Sequence, residues 1–92
     1  MNLVNETKFI MNKYNITASK ALGQNFLIDE DVVNGIIDKS NVSKEDLVIE
    51  IWPGLGTLTA LLLEKAGYVV CIELDKRMVN IVTDRFSLYE NF

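Results

Sequence analysis

Glu50, Gly54, Gly56 and Glu73 are the residues whose types and spacing could do chemistry. Glu50 stands near the carboxyl end of the apolar run Leu47-Val48-Ile49-Glu50-Ile51, and the glycines follow it in Trp52-Pro53-Gly54-Leu55-Gly56. Glu73 lies nineteen residues beyond Gly54, near the end of a second apolar run. Glycines let a backbone approach a ligand closely, and a carboxylate about twenty residues further on accepts hydrogen bonds from ribose hydroxyls. In an open parallel sheet the ligand crevice lies outside the carboxyl ends of the strands, where these residues fall. The same residues would also serve as an ordinary glycine turn and a solvated glutamate in a non-binding α/β domain.

The pattern discriminates among nucleotides. A dinucleotide site needs G-x-G-x-x-G to bring a pyrophosphate onto a helix N-terminus. Here the run is Gly54-Leu55-Gly56-Thr57-Leu58-Thr59, without a third glycine, and no Gly-Lys-Ser/Thr follows to make a P-loop. What remains suits an adenosine ligand that carries no phosphate. S-adenosylmethionine fits, being zwitterionic at its amino-acid end and cationic at sulfur.

Several elements must position these residues. Thr7 to Tyr14 reads as a short amphipathic helix through Phe9, Ile10 and Tyr14, and residues 15–28 as an extended polar loop. Asp29 can cap a helix whose Val32, Val33, Ile36 and Ile37 share one face, and Ser40-Asn41 ends it. Leu47–Ile51 reads as a buried parallel strand, and Thr57–Ala66 as a helix closed by a left-handed Gly67. Tyr68–Leu74 is a second strand, Asp75 a cap, and Arg77–Phe86 a last helix. Strand, glycine turn, helix and strand make a βαβ unit with a right-handed crossover. The fold class expected is α/β: the first half of a doubly wound, Rossmann-like domain, with a truncated parallel sheet. Residues 1–28 form an N-terminal helix and loop, and 29–92 run helix, strand, turn, helix, strand, helix.

Composition sets the bounds. The 92 residues are 49% apolar and 24% charged, ordinary for one small folded domain. No apolar run reaches the 18 residues of a membrane span, and Met1 to Ile10 has no secretory-signal pattern. One cysteine, Cys71, and no histidine leave neither an intrachain disulfide nor a metal cluster, so a reduced, cytoplasmic protein is the natural reading. The net charge of −4 argues against a strong grip on nucleic acid. Lys8, Lys13 and Lys20 outnumber Glu6 in the first 28 residues, yet three lysines are also what a solvated helix face carries.

Taken together, Lys20-Ala21-Leu22-Gly23-Gln24-Asn25-Phe26-Leu27-Ile28-Asp29, Val48-Ile49-Glu50-Ile51, Pro53-Gly54-Leu55-Gly56-Thr57-Leu58-Thr59 and Ile72-Glu73-Leu74-Asp75 resemble the small-subunit rRNA adenine N6,N6-dimethyltransferase family. The likeness covers roughly residues 18–85, and Gly23-Gln24-Asn25-Phe26-Leu27 is its most specific part. Relatives that methylate large-subunit rRNA and confer macrolide resistance share the Gln-Asn-Phe loop, but usually lack the Pro-Gly-Leu-Gly run; they rank second. A non-catalytic nucleotide-binding or interaction module, or a piece of a dinucleotide-dependent oxidoreductase, ranks lower still.

The resemblance implies methyl transfer from S-adenosylmethionine to N6 of two adjacent adenosines in small-subunit rRNA, with the rRNA or a ribosomal subunit precursor as partner. It places the cofactor against Asn25, Leu27, Trp52, Gly54 and Glu73, with Asn25 and Leu27 bordering its methionine and adenosine and Glu73 its ribose. Taken singly, Asn25 is equally a turn former and Leu27 equally core.

Two departures stand out. Trp52 takes the place of a family glycine, where an indole would fill the cofactor site, force the turn to rearrange, or stack on adenine. The family's later acidic cofactor residue and its Asn-Leu-Pro-aromatic motif do not occur in these residues. That motif helps hold an unstacked adenine whose amino group is aimed at the methyl donor. The chain is therefore expected to be an N-terminal fragment that binds the cofactor weakly or not at all, is inactive alone, and self-associates through bare strand edges and helix faces.

Overall fold

A computed structural model of the chain describes residues 2–17 and 29–92. The elements are α1 (Leu3–Lys13), α2 (Glu30–Ser40), β1 (Leu47–Ile51), α3 (Thr57–Lys65), β2 (Tyr68–Ile72) and α4 (Lys76–Arg85). Local chemistry sets most boundaries. The Asn2 side chain accepts from the Asn5 amide and opens α1 earlier than the apolar spacing implies. Asp29 accepts from the amides of Asp31 and Val32, and Asp75 accepts from that of Arg77. Asn41 closes α2 in a left-handed conformation, which asparagine tolerates better than most residues.

β1 and β2 pair in parallel, with Leu47 opposite Tyr68 and Ile51 opposite Ile72. Helices cover one face of this sheet. Ile37 of α2, Leu62 and Leu63 of α3, Val82 of α4, Ala66 and Phe86 pack around Val69, with Val48 and Cys71 alongside. A second cluster joins Ile10 and Ile16 from the α1 region to Leu55 of the glycine turn and to Met78 and Ile81 of α4.

Three expectations need correction. β1 is not buried: Leu47, Ile49 and Ile51 are exposed, because only the opposite sheet face is covered by described residues. In α2 the apolar stripe is narrower than its sequence spacing implies, with Val33 and Ile37 buried while Val32 and Ile36 stay exposed. Ala66 ends α3 in an extended conformation, and Gly67 is not among the left-handed glycines.

Gly67 is required for a different reason. A Cβ there would lie 2.2 Å from the Lys44 carbonyl oxygen and 3.1 Å from that of Asp46. The Gly67 and Tyr68 amides both donate to the Asp46 carbonyl, at 2.9 and 3.2 Å, which ties the start of β2 to the turn before β1. Both obstacles are backbone, so neither can rotate away. Gly67→Ala is expected to cost about 1–3 kcal/mol, read as a lower urea midpoint with an unchanged slope; an unchanged midpoint would mean the two segments separate freely.

Candidate functional site

At the carboxyl end of the sheet the chain leaves β1 through Trp52 and enters α3 through Gly56. Trp52, Gly54 and Gly56 all have left-handed backbone, with φ of 58°, 59° and 89°. Gly56 is held from behind. A Cβ there would meet the Phe86 ring at 2.7 Å, so both its conformation and its packing exclude a side chain. Gly56 is the N-terminal cap residue of α3 and offers no side-chain acceptor.

Trp52 opens this turn with its indole outside the packed core. Its amide donates to the Ile72 carbonyl at 2.9 Å, extending the sheet's hydrogen bonding, and its side chain is 70% exposed. The penalty falls on the backbone instead, since a left-handed conformation costs a side-chain-bearing residue roughly 1–2 kcal/mol.

Glu73 directly follows β2 and is half-buried, and its Oε2 accepts from the Asp75 amide at 3.1 Å. The structure thus brings Trp52, Gly54 and Glu73 to one end of the sheet. Asn25 and Leu27 lie outside the described residues.

Glu50 points the other way, into the packed side of the sheet. Its Oε1 accepts from the Thr59 hydroxyl at 2.5 Å, and the Cys71 Sγ lies 3.5 Å away as a second donor. Burial raises the Glu50 carboxyl above the usual glutamate range, against the lowering effect of these two partners. Burial, reinforced by the neighbouring Glu50 charge, pushes the Cys71 thiol up to about 12, so it stays protonated and able to donate. The carboxylate therefore links β1, β2 and α3 beneath the turn and does not face the crevice.

Arg85 is the residue that sequence reasoning missed. Its guanidinium donates to the Leu55 carbonyl inside the glycine turn and pairs with Glu6 of α1 at 3.0 Å. A lone arginine in a helix's last turn gives no sequence signal of such a role. Thr59 did leave one: it stands three and four residues before Leu62 and Leu63, on the helix face that the structure buries.

A family model described as ribosomal RNA adenine dimethylase matches residues 15–92, and the chain belongs to that family. It is 49% identical over 86 residues to the ribosomal RNA small subunit methyltransferase A of Clostridium acetobutylicum, covering 94% of this chain and 31% of that protein. The protein of the same description from Clostridium botulinum (strain Langeland) is 54% identical over the same length. The chain thus spans about a third of the length of these relatives.

Among solved structures, a dimethyladenosine transferase from Plasmodium falciparum matches with a TM-score of 0.68 and 33% identity, over 73% of this chain and 26% of that one. The 23S rRNA methyltransferase ErmE matches with the same TM-score and 30% identity, over 73% of this chain and 28% of its own. The α/β fold with a parallel sheet is that of these methyltransferases.

Glu50 gives a pH dependence whose sign is fixed by its raised titration. A carboxyl that holds its proton more tightly when folded favours the fold at low pH, and that contribution is lost as pH rises through the raised value. Above it the fold carries a half-buried charge. Glu50→Gln keeps an acceptor for Thr59 and removes that charge, so it should melt higher than the parent at pH 7. The difference should shrink as pH falls through that raised value and level off once pH is below the ordinary glutamate range; a difference that stays constant with pH would mean Glu50 is not desolvated.

Proposed function

We propose that this chain is part of the S-adenosylmethionine-binding domain of an rRNA adenine N6-methyltransferase that acts on small-subunit rRNA in the cytoplasm. The observation that carries the reading is the left-handed turn at Gly54 and Gly56, set at the carboxyl end of β1 beside Glu73. Family membership supplies the reaction class, and the names of the relatives at about half identity favour the small subunit over the large.

The residues present fit the cofactor. Gly54 and Gly56 carry no side chain that would hold a nucleoside away from the backbone. The first turn of α3 has no side-chain cap, so its amides are open to a carboxylate such as that of the methionine moiety. Glu73 engages one carboxylate oxygen with the Asp75 amide, which orients the group and leaves the other oxygen to accept from ribose hydroxyls. Asn25 and Leu27 complete this assignment at the methionine and adenosine. When bound, S-adenosylmethionine supplies an electrophilic methyl group on a sulfonium.

The chain's own contribution is to bind and orient that donor. Presenting a target adenine requires a pocket that holds the base out of its stack. The Asn-Leu-Pro-aromatic motif associated with that task is not in this sequence, so residues 1–92 alone are proposed to be inactive. Trp52 weakens binding further, because its indole stands at the mouth of the turn.

Isothermal titration with S-adenosylmethionine tests the site. The parent chain should bind weakly, and Trp52→Gly should bind more tightly while gaining about 0.5–1 kcal/mol of stability from relieved left-handed strain, net of glycine's larger unfolded entropy. Adding Glu73→Ala to Trp52→Gly should lose about 1.5–3 kcal/mol of binding with the fold intact. Tight binding by the parent that Trp52→Gly does not improve would refute the steric role, and an indifferent Glu73→Ala would remove the ribose contact.

A further inference from the structure

Arg85 ends α4, yet its side chain reaches the turn that opens α3, 30 residues earlier in the chain. One terminal guanidinium nitrogen donates to the Leu55 carbonyl, and the other donates to Glu6 of α1 at 3.0 Å. The same group lies over the Phe86 ring, 5.0 Å from its centroid, and that ring stands directly behind Gly56. We propose that Arg85 is a positioning residue for the cofactor: it fixes the Leu55–Gly56 peptide so that the first amides of α3 face the ligand, and Glu6 holds Arg85 in place. This role rests on the reading of that end of the sheet as the S-adenosylmethionine site.

The Leu55–Gly56 peptide is gripped at both ends. Its N–H donates to the Pro53 carbonyl at 3.0 Å and closes the turn, while its C=O accepts from Arg85. Gly54 and Gly56 flank Leu55 with left-handed backbone, and glycine has more conformations open to it than any other residue. Without Arg85 the peptide keeps only the Pro53 bond. Gly56 is the cap residue of α3, so its backbone sets where the Thr57 and Leu58 amides point. Those amides are the donors offered to the carboxylate of the methionine moiety.

Arginine suits this task better than lysine. Its planar fork carries donors on separate nitrogens and bonds two acceptors at once, whereas lysine offers a single nitrogen on a flexible stem. Glu6 restrains the fork in a place largely out of water. A plain clamp between α1 and α4 would use the same ion pair, but it would change melting and leave affinity alone.

Isothermal titration with S-adenosylhomocysteine separates the two roles, on the Trp52→Gly chain and well below the melting temperature of every variant. Adding Arg85→Gln should raise the dissociation constant roughly tenfold, the order that one hydrogen bond to a charged group leaves in an affinity. Arg85→Lys should fall between. Glu6→Gln should raise the constant about threefold, as for a partly exposed ion pair, and should add nothing in the Arg85→Gln background, because it acts through the arginine. A measurement without ligand accompanies these: in Arg85→Lys, amide hydrogen exchange should quicken at Gly56 while Leu63, inside α3, stays protected. Variants that melt lower but bind as the Trp52→Gly chain does, or unchanged exchange at Gly56, would show that Arg85 only clamps the helices. If Glu73→Ala still weakens binding in that case, the cofactor site stands without this role for Arg85. If neither Glu73→Ala nor Arg85→Gln changes binding, both readings fall together.

Discussion

The contact between Arg85 and the Leu55 carbonyl, backed by the Phe86 ring against Gly56, is the interaction on which the functional end of the molecule depends. A turn with three left-handed residues in five positions has little intrinsic preference for one shape. Here α4 supplies it from outside. The guanidinium donates to a carbonyl inside the turn, and its pairing with Glu6 brings α1 to the same place. The Arg85 side chain is only 15% exposed, so both bonds form where water competes poorly. Leu55 then seals the arrangement by packing against Ile10, Met78 and Ile81.

Beneath the turn, the Glu50–Thr59–Cys71 cluster performs the complementary task from the sheet side. A half-buried carboxylate is costly unless its acceptors are filled, and a hydroxyl from α3 and a thiol from β2 do this. The three elements that meet at the crevice are thereby held to one another by side chains that never enter it. Glu50 and Glu73 sit at equivalent ends of neighbouring strands, yet one is bonded within the packed side of the sheet and the other accepts from the Asp75 amide beyond it. Their different roles follow from the pleat: Glu50 alternates onto the packed face, whereas Glu73 lies beyond the last paired residue of β2.

Much of this was legible in the sequence because it is local. Aspartates at positions 29 and 75 announce helix starts through bonds to amides two or three residues away, and the two strands read as short apolar runs between turn signals. The glycine turn was legible because few residue types adopt its backbone. What was not legible depends on distant segments. Gly67 looks like a helix terminator but is fixed by the Lys44 carbonyl, more than twenty positions earlier in the chain. The exposed half of β1 cannot be told from a buried strand by composition, since the sequence records apolarity and not what covers it. Arg85 finds Leu55 thirty residues away, with no spacing rule to reveal the pair.

The central claim is that the carboxyl end of this sheet holds an adenosine cofactor. Amide chemical-shift mapping of the 15N-labelled chain during titration with S-adenosylhomocysteine tests it most directly, because it detects weak binding and locates it. The account predicts shifts concentrated at Trp52, Gly54, Leu55, Gly56 and Glu73 to Asp75, with Lys44 to Asp46 and Gly67 at the opposite end of the sheet unmoved. Shifts centred on that opposite end, or a spectrum unchanged at millimolar ligand, would contradict it.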